Sequence, residues 1–156
     1  MKEPPSAWQK TLKLLNRRAL STRQLSEKLH QAGFLSQEVR EAVEKAEKLG
    51  FINDKLLAED CAKYAAASGL GRYRIKQKLQ TRGLNTATVA QAVEGTFEDE
   101  TARARECFEK KLNALSREPD WRKRREKVFR HLVSRGFPMS LAGELSREIK
   151  DEKNTT

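Results

Sequence analysis

One spacing recurs three times along this chain and leaves it few folds to adopt. Two apolar residues four apart are followed four residues later by glycine and then by another apolar residue. Leu25, Leu29, Gly33 and Phe34 form the first copy; Ile75, Leu79, Gly83 and Leu84 form the second; Val128, Leu132, Gly136 and Phe137 form the third. Apolar residues four apart share one face of a helix, and a glycine one turn later supplies the left-handed residue that ends it. Self-similarity at a fixed period is the mark of a repeat architecture, whose units bury their apolar faces against their own partners and their neighbours.

Further matches flank each copy. Upstream, Leu12 and Leu15 align with Ala62 and Ala65, then with Leu112 and Leu115. Downstream, Val39, Ala42 and Val43 align with Val89, Ala92 and Val93, and more loosely with Ala142 and Leu145. The third copy gains three residues around Pro119 before resuming register. Each copy therefore reads as three helices. In the first, Trp8, Leu12 and Leu15 make a helical stripe, and Ser21 with Gln24 forms a capping box ahead of Leu25 and Leu29. Gly33 ends that helix, Ser36 is placed to cap the next, and Gly50 closes it. In the second, Asn53 or Asp54 is the cap, and the middle helix is expected from about Gly71 to Arg82. In the third, Ala104, Cys107, Phe108, Leu112 and Leu115 give a long first helix, while Pro119 and Pro138 fall where helices begin.

The expected fold is all-α: three tandem three-helix repeats, about nine helices, in an elongated or curved array. The repeats are expected at residues 1–52, 53–97 and 98–150, followed by a disordered tail at 151–156. Composition agrees, since only 37% of residues are hydrophobic and 35% are charged. Such a chain builds its core from narrow stripes on amphipathic helices.

The same composition narrows function. No apolar run reaches the roughly 18 residues that cross a bilayer, and the opening MKEPPSAWQK lacks a signal-peptide core, so a cytoplasmic protein without a membrane role is expected. Cys61 and Cys107 lie far apart in sequence, with no metal-ligand spacing, and read as small buried hydrophobes. His30 and His131 fall on middle helices as partly exposed residues. Neither belongs to a paired-histidine motif. GLGRYR has no preceding strand and no phosphate-loop lysine, so nucleotide binding is disfavoured. No catalytic residues, no cofactor and no metal are expected.

Charge is the feature that speaks to partners. The formal charge is +10, and residues 101–135 hold twelve Lys or Arg against five Asp or Glu. Arg74, Lys78 and Arg82 are spaced four apart beside Ile75 and Leu79, which makes a basic stripe expected to be solvent-exposed. Their third-copy equivalents are Lys127, His131 and Arg135, and the first-copy equivalents Gln24, Lys28 and Ala32 carry little charge. Arg72 and Lys76 join the candidates on the second middle helix; Arg122, Lys123, Arg124 and Arg125 join them before the third. Such a surface suits DNA phosphates, contacted without sequence preference, or an acidic protein face. Trp8 and Trp121 are read as packing residues, and Tyr73, between two arginines, as the better candidate for base stacking.

Residues 50–84, GFINDKLLAEDCAKYAAASGLGRYRIKQKLQTRGL, resemble the central signature of the RecX family. REKVFRHLVSRGF at 125–137 resembles that family's third-repeat signature, and LLNRRALSTRQLSEKL its first. The three pieces occur in order across nearly the whole chain. One departure is Gln24, where the family often has glutamate, and glutamine still serves a capping box. The resemblance implies a non-enzymatic regulator, expected as a monomer, that binds in the groove of RecA filaments on DNA. It implies inhibition of strand exchange, ATP turnover and the coprotease role. The alternative from the residues themselves is a sequence-independent DNA-binding protein acting through its basic middle helices.

Overall fold

In a computed structural model, residues 3–150 are described; the tail expected at 151–156 lies outside them. Among the described residues the chain forms α1 (Ala7–Leu15), α2 (Thr22–Gln31), α3 (Ser36–Lys48), α4 (Asp54–Ala67), α5 (Arg72–Thr81), α6 (Thr86–Glu94), α7 (Glu100–Ala114), α8 (Trp121–Ser134) and α9 (Met139–Ser146), with no strand. No helix there is long and apolar enough to cross a membrane.

The helix ends follow local chemistry. Ser21 Oγ accepts from the Gln24 N–H while the Gln24 side chain accepts from the Ser21 N–H, the reciprocal pair that the sequence announces. Asn53, not Asp54, caps α4 by accepting from the Leu56 N–H, and Asn85 does the same for α6 with Thr88. Ser36 does not cap α3: it is the first helical residue. Leu35 occupies the cap position, its N–H donating to Glu38 at 2.8 Å. A carboxylate reaching back over the first turn takes the role that a serine hydroxyl was expected to fill. Gly33, Gly83 and Gly136 all have positive φ, as the repeated helix stop requires.

Each repeat has its own core. Leu25, Leu29, Val39, Val43 and Ala46 fill the first. Ala58, Ala62, Ile75, Leu79 and Val89 fill the second, and Ala104, Phe108, Val128, Leu132 and Phe137 the third. Helices in extensive contact all belong to one repeat.

Two stripes differ from expectation. On α1 the buried residues are Ala7 and Thr11, while Leu12 is 41% exposed. Thr11 tolerates burial because its hydroxyl donates to the Ala7 carbonyl at 2.8 Å. On α7 the buried Ala104 and Phe108 follow the register of Ala58 and Ala62, counted from the first residue of each helix. Leu112 and Leu115 pack at the margin of the third core, one turn beyond the match that their spacing suggested. The length gained around Pro119 is partly spent on α8, which starts a full turn earlier than α5 relative to its core residues and carries Trp121 to Arg124 on that turn.

The repeats meet through their middle helices, end to end. Gly71 N–H donates to the Arg135 carbonyl at 3.0 Å and Tyr73 N–H to the Gly136 carbonyl at 3.0 Å, so the start of α5 abuts the finish of α8. In the same way Ser21 Oγ donates to the Arg82 carbonyl at 2.5 Å, joining the start of α2 to the finish of α5. A Cβ on Gly71 would sit 2.4 Å from the Phe137 nitrogen, which explains glycine at that cap despite its ordinary φ.

Candidate functional site

The candidate basic residues divide by position. Arg74, Lys76, Lys78, Arg122, Lys123 and Lys127 are exposed. Arg74 Nη1 donates to Gln77 at 2.7 Å within its own helix. Lys76 lies on the opposite flank of the Ile75 and Leu79 seam from Arg74 and Lys78. Lys127 donates to Glu118 at 2.7 Å, and that contact, larger than any burial effect, holds the Glu118 carboxyl below the usual carboxylate range. Arg122 covers the Trp121 ring, 5.3 Å from its centroid. Arg124 and Arg125 are half-buried on the first two turns of α8.

Arg72, Arg82 and Arg135 are different, and the expectation that the stripe is uniformly exposed fails at its last position in each helix. Arg82 is half-buried and donates across the first junction to the Ala19 carbonyl at 2.9 Å. Arg135 is half-buried and donates across the second junction to the Ser68 carbonyl at 2.8 Å. The physical reason is the end-to-end packing: a side chain leaving the last turn of one middle helix reaches the loop before the next. Arg72 lies at the other side of the second junction. Its N–H and Nε donate to Glu100 at 2.8 and 2.7 Å, and its guanidinium sits 4.0 Å from the centroid of Phe97. The hydrogen bond to Glu100 is the main reason that the Arg72 pKa is raised.

Glu100 was not legible as a functional or structural residue, yet it is 2% exposed and clamps the junction. Asp54 occupies the same place at the first junction, accepting from the Thr22 N–H at 2.9 Å. Each is the first helical residue of its repeat, and each caps the middle helix of the repeat before. A signal did exist. Repeats two and three end their middle helices in Arg-Gly, whereas repeat one has Ala32-Gly33.

Between repeats two and three lies a cleft of about 640 Å³ with Lys63, Arg103, Cys107, Lys110, His131 and Arg135 on its walls. Arg103 donates to the Leu70 and Thr96 carbonyls at 3.3 and 2.9 Å, and burial lowers its pKa. Cys61 and Cys107 are half-buried, not fully buried as expected. Desolvation raises the Cys107 thiol pKa in spite of the nearby Arg135 and Lys110. His30 is exposed and His131 half-buried; desolvation, then Lys111 and Arg135, lowers the His131 pKa. Among the described residues no group of three metal-ligating side chains comes together. Trp8 packs on the first core and Trp121 on the third, while Tyr73 is exposed.

Three small helical cores joined through their middle helices, with basic side chains at repeated positions along those helices, define a tandem three-helix-domain protein presenting an extended cationic surface. Residues 98–144 match the family model described as RecX, third three-helix domain. The chain is 30% identical over 150 residues to the regulatory protein RecX of Chlorobaculum tepidum, covering 96% of this chain and 91% of that one. It is also 30% identical over 152 residues to the regulatory protein RecX of Pseudomonas putida, covering 96% of each. The chain belongs to the RecX family. Its fold matches the crystal structure of RecX from Lactobacillus salivarius with a TM-score of 0.82 at 21% identity, over 92% of this chain and 94% of that one.

Proposed function

We propose that this protein binds RecA filaments on DNA and inhibits the recombinase, ATPase and coprotease activities, without catalysing a reaction of its own. Family membership supports this reading, together with relatives that carry the name regulatory protein. The observation that carries it on the structural side is the spine of middle helices. Arg74 and Lys127 stand exposed at equivalent places on consecutive repeats, with Lys78 exposed one turn on from Arg74, which suits a long, regular, anionic partner better than a compact one. The protein acts as a monomer in the cytoplasm, and its contacts with DNA are to phosphates, without base reading.

The test is addition of the protein, well below RecA stoichiometry, to preformed RecA filaments on single-stranded DNA while ATP hydrolysis is followed. A filament regulator inhibits at low ratios. Inhibition appearing only near saturation of free DNA sites overturns the reading in favour of a general DNA-binding protein, which the same exposed cations also suit.

A further inference from the structure

The third repeat carries a groove that the stripe does not include. It runs between α8 and α9 with a volume of about 480 Å³. Trp121 and Phe129 from α8 and the bare backbone of Gly143 from α9 line it, and a Cβ on Gly143 would lie 4.0 Å from the Phe129 ring. Arg122 and Arg125 rise from one bank and Arg147 from the other. Ser146, 2% exposed, also lines the groove, and its Oγ has no hydrogen-bond partner among the described residues. A buried hydroxyl without a partner is unfavourable, so it offers a contact for a ligand donor or acceptor. Among the described residues Glu126 is the one carboxylate on the rim, and it is engaged by Arg130.

We propose that this groove is a docking site for a short acidic peptide segment bearing an apolar or aromatic anchor. The anchor lies on Phe129 and Gly143, carboxylates pair with Arg125 and Arg147, and the Ser146 hydroxyl meets a peptide amide or carbonyl. Charge complementarity selects the sign of the partner: among the described residues three guanidinium groups surround a floor without a free carboxylate. The apolar floor selects a peptide over a nucleic-acid strand. Phosphates would engage the arginines and leave Phe129 and Gly143 untouched, and the Trp121 face that a base would stack on is already covered by Arg122. This site is separate from the middle-helix stripe, so it stands or falls independently of filament binding through Arg74 and Lys78.

The experiment uses the full chain and a fluorescein-labelled short peptide of alternating glutamate and phenylalanine, read by fluorescence anisotropy. A matched peptide with alanine in place of phenylalanine and an unlabelled oligothymidylate competitor complete the set. Gly143→Leu fills the floor and favours helix, and Arg125→Glu with Arg147→Glu reverses the rim; circular dichroism verifies folding of both. Arg74→Glu with Lys78→Glu is the control of equal charge change. Each groove variant is expected to weaken the glutamate–phenylalanine peptide by about tenfold or more, with the control within about threefold and the alanine peptide about tenfold weaker on the native protein. Two results overturn the proposal. One is native affinity in the Gly143→Leu variant. The other is equal binding of both peptides with displacement by oligothymidylate, which would make the groove a nucleic-acid contact.

Discussion

Arg135 Nη2 lies 2.8 Å from the Ser68 carbonyl oxygen, 67 residues earlier in the chain. Arg82 makes the same reach to Ala19. These two arginines belong to the scaffold, so Arg82→Glu and Arg135→Glu should each lower stability by about 1–3 kcal/mol, the range for losing a charged hydrogen bond from a partly buried site. Urea denaturation of each variant measures this.

The exposed members of the stripe should behave oppositely. Reversal of Arg74, Lys78 and Lys127 together should leave stability within about 0.5 kcal/mol per site while weakening binding to RecA–DNA filaments. If these side chains meet phosphates, each lost contact should reduce the slope of log affinity against log salt by about 0.9 on duplex or 0.7 on single-stranded DNA. Lys28, on the sparsely charged face of α2, should matter less. Full filament affinity in a folded triple variant would show the stripe to be a solvated surface.

Glu100→Ala should destabilise the protein more than Glu100→Gln. Alanine orphans the Arg72 N–H and its guanidinium together, whereas glutamine still offers an oxygen to the N–H. The cost of alanine should be about 1–3 kcal/mol, held below that of a fully buried pair because Arg72 is partly open to water. Chemical denaturation of the two variants side by side gives the order.

Gly71→Ala should be more damaging than Gly33→Ala, although only Gly33 has positive φ. At Gly33 a Cβ meets nothing within 4 Å, so the cost is the left-handed conformation, about 1–2 kcal/mol. At Gly71 the new carbon runs into backbone of the next repeat, and the junction itself must open. Gly83, with φ +74 and the Arg23 side chain alongside, should reject valine on conformational grounds. Thermal melting of the three variants ranks them.

His131 gives a pH dependence. Burial, with Lys111 and Arg135 nearby, holds its folded pKa below the usual 6.5. A depressed value means that the stability it contributes is present above pH 6.5 and is lost as pH falls through the folded pKa. Native protein should therefore lose more stability between pH 7.5 and pH 5 than a His131→Gln variant. Parallel melting curves for the two would refute this.

The elements were legible because their causes are local. Ser21 and Gln24 sit three apart, Gly33 and Gly83 end helices, and Leu25 and Leu29 share a face, all within a turn or two. The first stripe misled because Thr11 carries its own hydrogen-bond acceptor one turn back and so competes with Leu12 for the interior. The junctions were not legible because Arg82 and Arg135 donate to backbone carbonyls, and every residue type offers one. Their basic side chains looked like stripe members, and only the packing of repeat on repeat distinguishes a clamp from a contact surface. The α8–α9 groove escaped for a related reason, since Arg147 and Ser146 stand far in sequence from Trp121 and Phe129.

The end-to-end middle helices have an electrical consequence. Where α8 meets α5 and α5 meets α2, carbonyls at one terminus are taken up by donors at the next, so the partial charges at those inner ends largely cancel. Two outer poles remain: the positive one at the start of α8, beside Arg122 to Arg125, and the negative one at the finish of α2. The backbone thus adds its dipole to the gradient that the side chains of the middle helices already set, from a weakly charged α2 to a strongly cationic α8. The spine of middle helices therefore has a polarity, and an anionic polymer in solution should be drawn first to its α8 end.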